Sequence, residues 1–141
     1  MSLNDSEKNK ILFLLKNAQS LSYSPYSNFK VGAVLFFNDG TYTLGANIEN
    51  ASYSLTMCAE RNAIFQAILQ KKDLKQVKYL AIIGKTNSFE DVISPCGACR
   101  QVMVEFLSLK TKVYLFNDEG NYLETNVEKL LPYSFRKESL I

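Results

Sequence analysis

Histidine is missing from all 141 residues of the chain. That absence removes Ser-His-Asp and Cys-His catalysis, along with every metal site that needs an imidazole. Any metal must be held by thiolates and carboxylates, and thiols are scarce too, with three cysteines in all. An odd count argues against a framework of structural disulfides and points to a reducing, cytoplasmic setting. No apolar run approaches the roughly 20 residues of a membrane span. The N-terminal MSLNDSEKNK lacks the charged, apolar and small-residue regions of a signal peptide, in keeping with the cytoplasmic expectation. The formal net charge is only +2 and no basic cluster stands out, which speaks against a nucleic-acid or membrane-surface role. The densest lysine stretch (Lys71, Lys72, Lys75 and Lys78) is interrupted by Asp73 and Gln76 and reads as a solvated helix end.

What the chain does have is globular composition, with 47% hydrophobic and 21% charged residues. Its length suits one domain, residues 1–141, and is too short for two ordinary ones. Ile11, Leu12, Leu14, Leu15 and Ala18 share roughly one face, so Asp5 to Gln19 reads as a helix. A Pro- and Ser-rich loop follows at 22–29. Then KVGAVLFF and TYTLGANIE flank an Asn38-Asp39-Gly40 turn, the pattern of a β-hairpin. A second helix is expected from Cys58 to about Lys71. VKYLAII reads as a buried strand, and the loop GKTNSFEDVISP leads to a third helix over about 97–109. KVYLFN and NYLET supply two more strands before a short C-terminal segment ending LLPYSF. This order implies an α/β fold, a mixed sheet with helices on both faces.

The chemistry concentrates at two helix starts. LTMCAERNAIFQ puts Cys58 two residues before Glu60, and SPCGACRQVM puts Cys96 and Cys99 where the third helix begins. A lone C-x-x-C at a helix N-terminus is also the mark of a redox pair, but such a pair needs no third cysteine. Two helix starts converging on one point supply three zinc ligands and leave the fourth tetrahedral position for water, as catalytic zinc sites do. A structural zinc site would close that position with a fourth Cys or His, and the chain has neither. Three thiolates give the complex a formal charge of −1, which weakens its pull on a bound water. The dipoles and free amides of both helix starts draw charge off the sulfurs. Arg61 either adds a hydrogen bond to the thiolates or pairs at the surface. Glu60, beside such a water, is placed to take its proton and deliver it elsewhere; without the cysteines it would read as an ordinary first-turn glutamate.

Cys-x-Glu followed by Pro-Cys-x-x-Cys resembles the zinc-dependent nucleoside and nucleobase deaminases. More narrowly, the chain is similar to the small, all-cysteine, homotetrameric cytidine deaminases. The likeness runs through YSNFKVGAVL, GANIENASY, CAERNAIFQAI, PCGACRQ and LLPYSF, over nearly the whole length. It implies a three-layer α/β/α fold around a mixed five-stranded sheet, and one zinc ion per subunit on Cys58, Cys96 and Cys99. It implies hydrolytic deamination of cytidine and deoxycytidine to uridine and deoxyuridine, in pyrimidine salvage, with Glu60 shuttling protons as ammonia leaves. Asn47 and Glu49 match a pair that holds the ribose 3′-hydroxyl. Both can face one side of a strand end, and a carboxylate with an amide suits a neutral sugar and repels a 5′-phosphate. Phe29 matches an aromatic that packs on the base, with a place in the core as the alternative. The backbone of Ala59 would meet the base's polar edge. Phe135 resembles an aromatic reaching into a neighbouring subunit's site, with an ordinary packing anchor as the alternative, and Tyr53 would lie near the subunit contact. Lys30 stands where many members carry Pro or a small residue, with no consequence for the chemistry. The expected partners are a small nucleoside and further copies of the chain, not nucleic acid or membrane. The rival readings are a deaminase of another base, a zinc-stabilised binding module and a C-x-x-C redox protein.

Overall fold

The computed structural model describes residues 3–85 and 92–140. The loop expected between the third strand and third helix therefore lies partly, at 86–91, outside the described residues. Helix α1 spans Asp5–Gln19. Asn4 caps it, its side-chain oxygen accepting from the Glu7 amide at 2.8 Å while the Glu7 carboxylate returns to the Asn4 amide. Ile11, Leu14, Leu15 and Ala18, three and four residues apart, form its buried stripe.

Five strands make one sheet: β1 (Lys30–Phe37), β2 (Tyr42–Ala46), β3 (Val77–Lys85), β4 (Lys112–Phe116) and β5 (Tyr122–Asn126). Their order is β2-β1-β3-β4-β5, with β3 and β4 parallel and the other neighbours antiparallel. Alternation along the strands divides the core in two. Val34, Phe36, Tyr79, Ala81, Ile83, Tyr114 and Phe116 meet α1 on one face. Val31, Ala33, Leu35, Leu80, Ile82, Val113 and Leu115 meet helices α2 (Ala59–Leu69) and α3 (Gly97–Phe106) on the other. This is the expected three-layer arrangement around a mixed five-stranded sheet. No helix among the described residues is long and apolar enough to cross a membrane.

Some boundaries differ from expectation for local reasons. Helix α2 stops at Leu69, short of Lys71, because Lys71 takes a left-handed backbone (φ 59). Helix α3 stops at Phe106, since Leu107 turns extended and buries its side chain. Strand β2 ends at Ala46, although the chain runs on extended through Ile48, which bridges both Tyr23 and Met57. The segment after β5 holds a short helix, α4 (Val127–Leu130), capped by the Asn126 side chain on the Lys129 amide at 2.8 Å.

The topology decides where the helices start. β2 and β3 both run antiparallel to β1, so they run parallel to each other across it. α2 follows β2 and α3 follows β3, on the same face. Their N-termini therefore emerge at one end of the sheet, beyond the carboxyl ends of two like-directed strands, where open α/β sheets carry ligands.

Candidate metal centre and catalytic site

Cys58 is the N-cap of α2 and Cys96 the N-cap of α3, and neither thiol is used to cap its own helix. Cys99, one turn into α3, is buried, Cys58 is half-buried and Cys96 is exposed. The topology thus brings three residues from two distant motifs together, with their sulfurs all within 4.8 Å of one another. The Sγ atoms of Cys58 and Cys96 are 3.8 Å apart. Sulfurs about 2.3 Å from a tetrahedral zinc would be separated by about 3.8 Å, so the donor set fits that ion in chemistry and in spacing. Taken alone, the thiols are strongly coupled. The hydrogen bond from Cys99, with help from Arg61 and against burial, lowers Cys58 to about 5. The same pairing with Cys58, together with burial, pushes Cys99 up. One thiolate is stable there and further ones demand added positive charge, which a divalent cation supplies.

Arg61 answers the alternative left open by the sequence. Three residues after Cys58 and on the same helix face, its Nη2 donates to Cys58 Sγ at 3.4 Å. That bond to sulfur is the main cause that raises its already high pKa further. Glu60, in the same first turn, points inward and is 4% exposed. Burial, seconded by the charge on Cys58, raises its carboxyl above the ordinary value. A carboxyl in this place, beside the thiols, is positioned to take and return a proton.

Gly45 seats this turn. A Cβ there would lie 2.2 Å from the Ala59 carbonyl and 2.5 Å from the Ala63 amide, so only glycine lets α2 start this close to β2. Thr43 adds a hydrogen bond to the Ala63 carbonyl at 2.8 Å, and Asn62 reaches back to the Ala46 carbonyl at 2.8 Å. Ala59 itself is fully buried.

Around the thiols stands a rim. Asn47 and Glu49 flank Ile48 and face the loop at 22–29, as their alternation implied. The Asn47 Oδ1 accepts from the Val31 amide at 2.9 Å and from Ser22 Oγ at 2.5 Å, while its Nδ2 donates to the Phe29 carbonyl at 2.7 Å. Glu49 accepts from the amides of Tyr26 and Ser27 at 3.0 and 3.2 Å and from the Ser27 hydroxyl. The Ser27 hydroxyl is the chief reason its carboxyl lies below the usual range. Phe29 precedes β1 rather than lying in it, and packs half-buried against the α2–α3 core cluster. Its ring lies over Gly84 at the carboxyl end of β3, beside Ile93. Phe135 is 60% exposed, with its carbonyl held by Gln101 Nε2 at 2.8 Å.

Two contributors were not singled out in the sequence. Ser27 acts through contacts that no local pattern announces. Gly45 does leave a trace, as an isolated glycine inside a strand pattern.

Comparison with known proteins agrees with this geometry. The model of the cytidine and deoxycytidylate deaminase zinc-binding region matches residues 5–116. A cytidine deaminase of Sporosarcina psychrophila is 47% identical over 131 residues, covering 93% of each chain. One from Halalkalibacterium halodurans is 46% identical over 123 residues, 87% of this chain and 89% of that one. The crystal structure of cytidine deaminase from Burkholderia pseudomallei superposes with a TM-score of 0.84 at 42% identity, covering 90% of this chain and 98% of the other.

Proposed function

The chain belongs to the cytidine and deoxycytidylate deaminase family and is a hydrolytic deaminase, and from that premise we propose that it deaminates cytidine and deoxycytidine in pyrimidine salvage. The observation that carries the reading is one buried glutamate, Glu60, in the same helix turn as Cys58, whose sulfur lies 3.8 Å from that of Cys96.

Cys58, Cys96 and Cys99 would hold the zinc, which when bound acidifies a water molecule and so supplies a nucleophile at neutral pH. Arg61 and the two helix starts take charge from the sulfurs. Glu60 accepts the water's proton and delivers it to N3 of the cytosine ring as oxygen bonds to C4. It then carries a proton to the amino group, the C4–N bond breaks, ammonia leaves and the C4 carbonyl forms. Its raised carboxyl suits both halves of that relay.

Recognition would fall to the rim. Phe29 packs on the base and the Ala59 backbone meets its polar edge. Asn47 keeps one Nδ2 hydrogen and Glu49 the remaining acceptor capacity of its Oε2 for the ribose 3′-hydroxyl, since their other capacity braces the loop. A 5′-phosphate beside Glu49 would be repelled, which favours nucleosides over nucleotides.

The active form is a cytoplasmic homotetramer in this reading, with Phe135 of one subunit completing a neighbour's site. Large exposed apolar side chains support it: Tyr53 at 74%, Leu55 at 66% and Phe135 at 60%. The test is ammonia release from cytidine and deoxycytidine, with Glu60→Ala alongside and the mass in solution measured on the same preparation. Turnover by the parent protein, none by a zinc-retaining variant, and a mass about four times the 16.0 kDa chain are expected. Wild-type turnover by Glu60→Ala would remove the proton relay. A fully active monomer would remove the shared site.

A further inference from the structure

Arg100 follows the last thiol directly, and its guanidinium is spread over three acceptors from two segments, the loop entering α3 and the end of α4. Its Nε donates to the Pro95 carbonyl at 2.8 Å, its Nη1 to the Leu130 carbonyl at 2.6 Å, and its Nη2 to the Ser94 hydroxyl. Its backbone amide closes a fourth bond, to the Cys96 carbonyl at 3.0 Å. One residue thus holds the peptide units on both sides of Cys96, the most exposed of the three thiols and the one placed by the loop entering α3. Leu130 is the last residue of α4, so the same guanidinium also satisfies an open carbonyl at that helix's C-terminus.

The next residue repeats the pattern at the other end of the segment. Gln101 Nε2 donates to the Phe135 carbonyl at 2.8 Å. Consecutive residues of α3 therefore pin both ends of 130–135, a stretch whose middle carries a fully exposed Tyr133 with a left-handed backbone (φ 56). An aromatic in that conformation is costly unless its flanks are held. The family match ends at residue 116, before this segment begins.

The structure assigns Arg100 as a positioning residue that fixes Cys96 for the metal and, with Gln101, ties the C-terminal aromatic segment to the helix bearing Cys99. Metal retention and the order of the 130–135 segment then share one fastening. The inference rests on the reading of Cys96 as a zinc ligand. Lysine keeps the charge at position 100 but cannot span three acceptors, and glutamine keeps neither charge nor span.

The experiment uses full-length, zinc-loaded protein and measures zinc release to a colorimetric chelator, with backbone amide exchange over 130–136 by mass spectrometry. Arg100→Gln should release zinc about tenfold faster, the low end for residues that orient metal ligands, and should exchange faster in that segment. Arg100→Lys should fall between it and the parent, and it carries the test if the glutamine variant does not fold. Gln101→Ala should loosen the segment and leave zinc release unchanged. Ile11→Val, on the far side of the sheet, controls for general destabilisation and should leave both readouts unchanged. Parental zinc release from Arg100→Gln, or from Arg100→Lys where only that variant folds, overturns the positioning of Cys96. Unaltered exchange in Gln101→Ala overturns the fastening of the segment. Zinc release in Ile11→Val as fast as in the Arg100 variants overturns the specific role. A parent protein that binds no zinc overturns the metal reading itself and this inference with it.

Discussion

At the thiol centre the donors sit on the first turns of two helices, and spacing within a turn puts Cys58 beside Glu60 and Arg61, and Cys96 beside Cys99. At the rim, by contrast, every important bond is long in sequence. Asn47 reaches back to Phe29, Val31 and Ser22, and Glu49 reaches to Tyr26 and Ser27. At the centre Cys58 and Cys99 shift each other's protonation, and burial together with the charge on Cys58 raises the Glu60 carboxyl. The rim is braced by hydrogen bonds that tie Asn47 and Glu49 to the loop at 22–29 and the start of β1. The difference separates two tasks: the centre has to fix charge, and the rim has to fix shape.

Substitutions can break that division or sharpen it. The largest effect belongs to Cys99→Ser at the centre. A serine hydroxyl does not replace a buried thiolate donor, so zinc content should fall to near zero and turnover to background, measured by metal analysis and ammonia release. A zinc-replete, active serine variant would mean that Cys99 only packs. Arg61→Gln comes next. With less charge drawn from Cys58, kcat should drop by about tenfold to a hundredfold while KM stays close to the parental value. A loss confined to KM would move Arg61 from the centre to the rim.

The smallest effect belongs to Glu49→Gln, and its sign is set by protonation. The folded carboxyl lies below its ordinary value of 4.5. Its contribution is therefore fully present above that pH and is lost as the pH falls through the lowered value. The melting-temperature gap between parent and variant should be widest near neutrality and close in acid. A gap that widens on acidification would show that the Ser27 and backbone contacts do not favour the charged form.

The same contrast explains what could be read from the sequence. Cys58, Cys96 and Cys99 were legible as one group because their meaning lies in residue type and short spacing, and the absence of histidine left few alternatives for a metal. The strand and helix spans were legible because β1 is a nearly continuous apolar run, buried from Val31 to Phe37, and burial recurs every three to four residues along α1. Helix ends were less so: a left-handed Lys71 and an inward-turned Leu107 answer to packing that no propensity encodes. That Asn47 braces the loop through both ends of its amide was hidden, because its partners Val31 and Ser22 lie 16 and 25 residues away. Arg100 was hidden for the same reason, with Leu130 30 residues off.

The parallel course of β2 and β3 across β1 has an electrical consequence. It sets the positive ends of α2 and α3 side by side, each equivalent to roughly half an elementary charge. Two like poles in one place repel, and the backbone alone offers nothing to neutralise them. Together they amount to about +1, and three thiolates around a divalent ion carry a formal −1. The topology thus leaves a deficit of one negative charge, which the all-cysteine centre fills. Exchanging one thiolate for a neutral imidazole would make the metal complex neutral and leave the two helix poles, together with Arg61, less well compensated.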